Sequence, residues 1–194
     1  MGDTVPQRQC VIPIHRPGAK ELLFFFASGI LVSIPFALFF SNFYQFFPTV
    51  VYLVILAPLV EELAKVFPLF YRHGETERTY VVLAALMGLG FGISEFVEYV
   101  FLFHVFFIYR IPGLIFHPST AAITGFGLAK QKPGPYYALA VVLHGLNNLF
   151  AFGSLYVSPF VAELFYFADL LVLVVAYLSA WRCYRQSSQD KMVV

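Results

Sequence analysis

Residues 59–67 read LVEELAKVF and place Glu61, Glu62 and Lys65 inside a longer apolar run, about 49–71. A helix of about 20 apolar residues is long enough to cross the hydrocarbon core of a bilayer. A charged side chain in the middle of such a helix costs at least about 2.5–3.5 kcal/mol on insertion scales, and it usually faces the interior of a helix bundle. The stretch therefore predicts a transmembrane helix that carries part of a functional site.

The composition of the whole chain is that of an integral membrane protein. Of its 194 residues, 60% are hydrophobic and 12% are charged, whereas soluble domains carry about 25% charged residues. The mean hydropathy is +0.78. Six segments are long and apolar enough to span a bilayer, at about 21–41, 49–71, 79–107, 111–129, 135–156 and 159–181. We therefore expect an all-α integral membrane protein that forms a bundle of about six transmembrane helices.

The basic residues predict the orientation of this bundle, because Lys and Arg accumulate in cytoplasmic loops. With six spans, ten basic residues fall on one side: Arg8, Arg16, Lys20, Arg72, Arg78, Lys130, Lys132, Arg182, Arg185 and Lys191. Arg110 falls on the other side. Both termini are therefore expected to be cytoplasmic, in a multi-pass protein of the cell membrane. Residues 1–19 and 183–194 would be short tails that flank a single membrane domain, 20–182.

The two glutamates of the opening stretch do not have the same explanation. Glu61 and Lys65 stand four residues apart, the spacing of a stabilising ion pair on a helix. That pair would neutralise both charges and could be purely structural. It does not account for Glu62, which points about 100° away around the helix. Pro58 lies just before them and leaves the carbonyl of Val54 without its helical hydrogen bond. We expect the glutamate pair to be functional.

The third segment combines small residues with carboxylates. Residues 86–101 read LMGLGFGISEFVEYVF, in which Gly88 and Gly92 lie four residues apart and allow close approach of another helix. Phe91, Glu95 and Tyr99 recur at the same interval, so they share one helix face. This pattern predicts a tightly packed interior site beside a carboxylate.

Imidazoles and an amide occur in the next two segments. His117 precedes Pro118, and a lone histidine of this kind matters only if other polar groups converge on it. His144 and Asn148 stand at i,i+4 in VVLHGLNNLF, residues 141–150, and therefore share a face. Such a pair either ligates a metal or donates hydrogen bonds to an oxyanion.

Taken in order and on separate helices, these motifs resemble the CAAX-protease and bacteriocin-processing superfamily of intramembrane proteases. Glu61 and Glu62, followed by Lys65, match the superfamily's Glu-Glu motif with its following basic residue. His144 and Asn148 match its His-xxx-Asn motif. The resemblance covers about residues 55–152, and it implies a hydrolase that cleaves peptide bonds in the membrane.

Within that superfamily the chain most resembles the PrsW branch, which cleaves an anti-sigma factor. Phe91-xxx-Glu95 followed by Tyr99 is similar to the PrsW motif at this position, although Phe96 stands where that motif usually has asparagine. Arg110 and His117 resemble the arginine and histidine that follow in PrsW. The prenyl-protein endopeptidases have histidine at the place of Glu95.

The resemblance implies a catalytic site built from six residues: Glu61, Glu62, Glu95, His117, His144 and Asn148. Glu95, His117 and His144 would form a His₂Glu site of the kind that holds Zn²⁺ in metalloproteases. Glu61 is favoured over Glu62 as the base. The alternative is a metal-free mechanism, as in the prenyl-protein branch, where Glu and His activate water and the His-xxx-Asn pair forms the oxyanion hole.

Two other classes of function fit the same residues. A small transporter or channel could use the buried Glu and His groups as a proton or ion relay, and a non-catalytic member of the same fold could bind substrate or lipid. As a protease, the chain would meet a membrane-anchored protein substrate within the lipid bilayer. The sequence contains no basic patch interleaved with aromatic residues, so a nucleic-acid partner is not expected.

Overall fold

The computed structural model describes residues 14–41, 46–71 and 75–193. Several features of the sequence therefore lie outside the described residues, namely most of the predicted N-terminal tail, including Arg8 and Cys10, and the loop residues Arg72 and His73. Within the described ranges the regular structure is helical, apart from one isolated antiparallel bridge between Thr76 and Met192. The predicted all-α class is confirmed for this part of the chain.

Each predicted apolar segment forms one run of helix, and the breaks fall at the polar and proline-rich separators. In chain order the helices are α1 (Ala19–Ser41), α2 (Thr49–Val51), α3 (Ala57–Val66), α4 (Glu77–Val97), α5 (Gly113–Ala129), α6 (Pro133–Gly153) and α7 (Pro159–Gln186). The π-helical turn Tyr52–Leu56 joins α2 to α3, and the 3₁₀ turn Phe67–Tyr71 extends α3. A second π turn, Glu98–Leu102, extends α4, and two further 3₁₀ turns lie at Phe107–Tyr109 and Ser154–Tyr156.

Two helix ends differ from the prediction. The third helical run ends at Leu102 rather than near residue 107, and His104 takes a left-handed backbone conformation with φ of 55°. Because residues 103–108 are mostly aromatic and aliphatic, the apolar pattern continues past the point where the helix stops. α7 continues to Gln186, beyond the expected boundary at residue 182.

Among the residues that the structure describes, three helical runs are long and apolar enough to cross a membrane: Glu77–Leu102, Pro133–Tyr156 and Pro159–Gln186. α5 has 17 residues, and the run 49–71 carries Glu61, Glu62 and Lys65, so neither has the length and low charge of a simple spanning helix. The chain is therefore a helical membrane protein. Six crossings and cytoplasmic termini remain predictions.

α4 lies at the centre of the bundle, between α1 on one side and α5 on the other. The two glycines that the sequence predicted as a contact face lie against α5. A Cβ atom on Gly88 would lie 2.7 Å from Cα of Pro118, and one on Gly92 would lie 3.1 Å from the carbonyl oxygen of Gly113. The predicted close approach is confirmed, and it brings His117 on α5 next to the polar face of α4.

The outer surface is more apolar than that of a soluble protein, and the interior holds charged groups beside its hydrophobic core. Large apolar side chains cover much of the outer surface, and on α7 they include Leu171, which is 65% exposed. Charged and imidazole side chains lie in the interior, where Glu62 and Lys65 are both 0% exposed. Burial of such groups requires them to be paired, so the interior polar cluster has to be a connected network.

Candidate active site

Glu62 lies at the junction of three helices. On α3 it accepts a hydrogen bond at Oε1 from Nζ of Lys65, at 2.7 Å. Thr120 of α5 donates to the same oxygen through its hydroxyl at 3.0 Å, and Nδ1 of His144 on α6 lies 2.8 Å from it. The other carboxylate oxygen, Oε2, is buried and has no hydrogen-bond partner among the described residues.

Lys65 pairs with Glu62, and the predicted Glu61–Lys65 ion pair is wrong. The observed pair has i,i+3 spacing, which is as compatible with a helix surface as i,i+4. The face of α3 that carries Glu62 and Lys65 is covered by α5 and α6. Both side chains are buried there, and buried charges have to be paired. Glu61 lies further round α3, with its side chain 21% exposed and its Oε2 3.5 Å from Nε2 of His144.

His117 connects the α3 cluster to α4. Its Nδ1 lies 2.9 Å from Nζ of Lys65, and its Nε2 lies 2.7 Å from Oε2 of Glu95. The Phe91 ring packs against the imidazole with centroids 5.4 Å apart, and it also contacts Lys65, whose Nζ lies 4.5 Å from the ring centroid. Other polar groups do converge on His117, which was the condition for giving it a functional role.

The helix face predicted to carry Phe91, Glu95 and Tyr99, which runs from α4 into the π turn Glu98–Leu102, is confirmed by contacts further along it. Nη2 of Arg110 lies 3.4 Å from Oε2 of Glu95. The Arg110 guanidinium also lies over the Tyr99 ring, 3.8 Å from its centroid, which is the geometry of a cation–π contact. Arg110 therefore fixes the carboxylate that holds His117.

His144 and Asn148 share a face of α6, but they bind different partners. His144 reaches both glutamates, whereas Asn148 donates from Nδ2 to the carbonyl of Leu53 at 2.9 Å. Between them, a Cβ atom on Gly145 would lie 2.5 Å from the carbonyl oxygen of Val54. Asn148 is thus brought beside the cluster without touching its Glu and His groups. Its amide holds α6 against the π turn Tyr52–Leu56.

In the interior, potential metal-ligating atoms of Glu62, His117 and His144 all lie within 4.8 Å of one another. A second such group among the described residues is formed by His15, Glu21 and Glu75, of which His15 is exposed. The expected set of Glu95, His117 and His144 does not meet this distance among the described residues. Glu95 lies at Nε2 of His117, whereas Nδ1 of His117 contacts Lys65, the ion-pair partner of Glu62. Among the described residues, the Glu62 carboxylate therefore lies within this distance of both imidazoles.

This donor set fits a divalent metal ion. Two imidazoles and one carboxylate with an open position are the ligands of catalytic zinc sites. The buried Oε2 of Glu62 that has no protein partner in the described residues is a vacant acceptor of the right type. The ligands are also supported from behind, because Thr120 holds Glu62 and Glu95 holds His117, as outer partners do in metal sites.

The sequence did not single out Thr120, although it lies three residues after His117. A threonine at i+3 from a buried histidine shares its helix face, and this was the signal available in HPST, residues 117–120. The Thr120 hydroxyl also lies 3.2 Å from the His117 carbonyl. Tyr137 was missed as well, and its hydroxyl donates to the carbonyl of Leu59 and ties α6 to α3.

The fold and the site define a membrane-embedded protein with a buried Glu/His centre between its helices. Residues 18–180 match the family model of the PrsW family intramembrane metalloproteases, and the chain therefore belongs to that family. No match was found among curated proteins or among solved structures. The predicted likeness to the PrsW branch is confirmed, and the chain is an intramembrane protease, a hydrolase of peptide bonds.

Proposed function

We propose that this protease hydrolyses a peptide bond in or beside the membrane-anchored segment of a protein substrate, with water as the nucleophile, in the cell membrane. The observation that carries the proposal is the convergence of Glu62, His117 and His144 in the interior, where they are at most 4% exposed. Buried titratable groups on three separate helices are costly. Their convergence at one point favours catalysis over separate structural roles.

Glu62, His117 and His144 are the proposed ligands of a catalytic metal ion, with Zn²⁺ as the expected metal. In this proposal Glu62 takes the place of Glu95 as the carboxylate ligand, and His117 and His144 are the same as in the set expected from the sequence. A divalent cation held there supplies Lewis-acid activation of the attacking water and of the scissile carbonyl.

Glu61 is the proposed general base. Its Oε2 lies 3.5 Å from Nε2 of His144 and has no hydrogen-bond partner among the described residues, so the oxygen is available to accept a proton. Its Oε2 is buried, but the side chain as a whole is 21% exposed, in contrast to that of Glu62, so the carboxylate lies at the border between the buried centre and the surface from which water and substrate arrive. Glu61 would therefore act as the base at the edge of the buried centre, and Glu62 would act as a ligand inside it.

Glu95 and Asn148 are proposed to position other groups. Glu95 orients the His117 imidazole through the contact at Nε2. Asn148 fixes the π turn that precedes Pro58, and through it the start of α3. The hydrogen bond of Asn148 to Leu53 supports this role in place of the oxyanion donor that the His-xxx-Asn motif suggested.

A metal-free protease is the second candidate, because the Lys65 ammonium already bridges Glu62 and His117. Glu61 and His144 would then activate water directly. Chelation separates the two versions: loss of cleavage that Zn²⁺ restores supports the metal centre, and cleavage that is indifferent to chelator supports the metal-free mechanism. The transporter and binding-module alternatives lose their support, because the family is one of peptidases.

The test is cleavage of membrane-anchored reporters that carry varied juxtamembrane sequences, reconstituted into liposomes with the purified chain and followed by mass spectrometry of the products. Glu61→Gln should abolish most turnover, because the amide keeps the size of the side chain and cannot take a proton. The matched control is Glu163→Gln, the same change at an exposed position of α7. Full cleavage by a variant that carries both Glu61→Gln and Glu62→Gln would refute the mechanism.

A further inference from the structure

The Lys65 ammonium lies among the proposed metal ligands. It is fully buried, 2.7 Å from Oε1 of Glu62 and 2.9 Å from Nδ1 of His117. Its third contact is with the face of the Phe91 ring. A buried ammonium is costly unless its partners compensate for lost hydration, and here those partners are two of the three ligands.

The hydrogen-bonding chemistry of Lys65 determines which nitrogen of His117 has a lone pair for a metal ion. An ammonium has three donors and no acceptor, so Nδ1 of His117 must accept from Lys65. A neutral imidazole has one donor and one acceptor nitrogen. Nε2 of His117 therefore carries the hydrogen and donates a hydrogen bond to Oε2 of Glu95, 2.7 Å away. The lone pair of His117 that remains for a metal ion is the one that faces Lys65.

We propose that the Lys65 ammonium occupies the cation position of this site in the metal-free protein, and that a divalent metal ion and Lys65 exclude each other. This inference rests on the proposed metal centre. The ammonium and a bound metal ion would compete for Nδ1 of His117 and would lie at the same Glu62 carboxylate, and like charges at such separations repel strongly in a buried site. Metal binding would therefore require the Lys65 side chain to withdraw from Nδ1 of His117.

Two consequences follow for the protein. The cluster keeps its shape without metal, because Lys65 neutralises Glu62 and holds His117 in a fixed tautomer. The affinity for metal is lowered, because each binding event first displaces an internal cation. A lysine that served only as a structural ion-pair partner would have the first consequence and lack the second.

The experiment measures metal binding to the full chain, purified in mild detergent and stripped with a chelator. Zn²⁺ and Co²⁺ are titrated into the wild type and into Lys65→Met, Lys65→Gln and Lys65→Arg. The readouts are bound metal by elemental mass spectrometry, the visible absorption of Co²⁺ and the unfolding temperature. Lys65→Met and Lys65→Gln remove the charge, and the glutamine keeps a hydrogen-bond donor so that folding is maintained if the methionine variant fails. Lys65→Arg keeps the charge.

Lys65→Met and Lys65→Gln are expected to bind Zn²⁺ at least about tenfold more tightly than the wild type, because a like charge is removed from the site. Lys65→Arg is expected to show no gain. Zn²⁺ should raise the unfolding temperature of the two charge-removing variants more than that of the wild type, since stabilisation by a ligand grows with its affinity.

Equal or weaker Zn²⁺ binding in both charge-removing variants would overturn the inference, and so would an absence of metal binding to every protein tested. Cleavage of reporters by a protein that binds no metal would leave the protease function standing with a metal-free mechanism. Competition between Lys65 and Zn²⁺ in a protein that cleaves none of the reporters would uphold the inference and count against the proposed function.

Discussion

At Glu62 three helices meet through one carboxylate. Its Oε1 takes contacts from Lys65, Thr120 and His144, so α3, α5 and α6 are registered against each other by a single buried group. A carboxylate satisfied in this way is held in one rotamer, which is the condition for a precise ligand.

Thr120→Val tests whether the hydroxyl orients Glu62. Valine keeps the shape of threonine and removes one hydrogen bond, so reporter cleavage should fall by about two- to tenfold while the protein stays folded. The measurement is the rate of cleavage in liposomes.

Thr124→Val is the control for this variant. It is the same change one helical turn later on α5, where the hydroxyl donates to the Thr120 carbonyl at 3.3 Å and does not touch Glu62. If the two variants lose the same activity, Thr120 contributes only to packing.

Glu95→Gln tests the positioning of His117. The amide can still contact Nε2, but it removes the negative charge that holds the imidazole, so we expect a loss of about 10–100-fold in metal affinity or cleavage. Both quantities are measured on the same preparation.

Glu98→Gln serves as the comparison, because Glu98 lies three residues further along the same helical run and is half-buried. A Glu95→Gln variant with the metal affinity and cleavage rate of the wild type would show that Glu95 does not position His117.

The sequence predicted the types of residue in the site better than their partners. Glu61, Glu62, His117 and His144 were all expected there, and all four lie within one network. The pairing of Lys65 with Glu62, and the position of Glu62 rather than Glu95 close to both imidazoles, could not be predicted. Each depends on how far α3 is rotated about its axis, and that rotation is set by tertiary packing.

At the scale of elements, the π turn Tyr52–Leu56 and α6 determine where α3 begins. Pro58 cannot donate to the carbonyl of Val54, and that carbonyl lies against Gly145, where a side chain would collide with it. Asn148 satisfies the neighbouring carbonyl of Leu53. The π turn before the proline is thus packed against two residues of the His-xxx-Asn segment, Gly145 and Asn148, and this contact sets the distance between His144 and the glutamates.

Gly145→Ala should separate α6 from this turn. The added methyl group would lie 2.5 Å from the Val54 carbonyl oxygen, so one element has to move, at a cost of about 1–3 kcal/mol. We expect a lower unfolding temperature and a large loss of cleavage, because His144 moves with α6.

Gly134→Ala is the same change in the same helix at a position where the added methyl group meets nothing within 4 Å, and it should leave both properties near those of the wild type. Equal behaviour of the two variants would exclude the proposed contact.

The helices themselves were predictable from the lengths of the apolar segments, because each segment had to satisfy its own backbone hydrogen bonds in lipid. The end of the third helix was not. Phe103, Val105 and Phe106 continue its apolar pattern, and the chain turns at His104 for reasons that hydropathy does not encode. That turn brings Arg110 back to Glu95. The predicted end of the third helix was therefore wrong at an irregular connection that builds part of the site.

For the whole molecule, three of the regions predicted to be cytoplasmic lie together at one end. Lys130 and Lys191 contact the Glu77 carboxylate at 2.6 and 3.5 Å, and Arg78 donates to the Ser187 carbonyl at 2.7 Å. The start of α4, the α5–α6 connection and the residues after α7 therefore share a side of the bundle. Such contacts require an even number of crossings between these regions.

The orientation in the membrane is the prediction for this scale. Single cysteines are introduced at Lys132 and Asp190, and in separate variants at Ile108 and Ser158, all exposed positions, in a chain whose own cysteines are replaced by serine. A membrane-impermeant thiol reagent applied to intact cells should label the second pair and miss the first, because the excess of basic residues keeps the first pair cytoplasmic. Lysis before labelling is the control, and it should expose all four sites. Labelling of Lys132→Cys and Ser158→Cys from the same side would mean that α6 does not cross the bilayer. His144 would then lie outside the hydrocarbon core, and the convergence of Glu62, His117 and His144 would no longer favour catalysis.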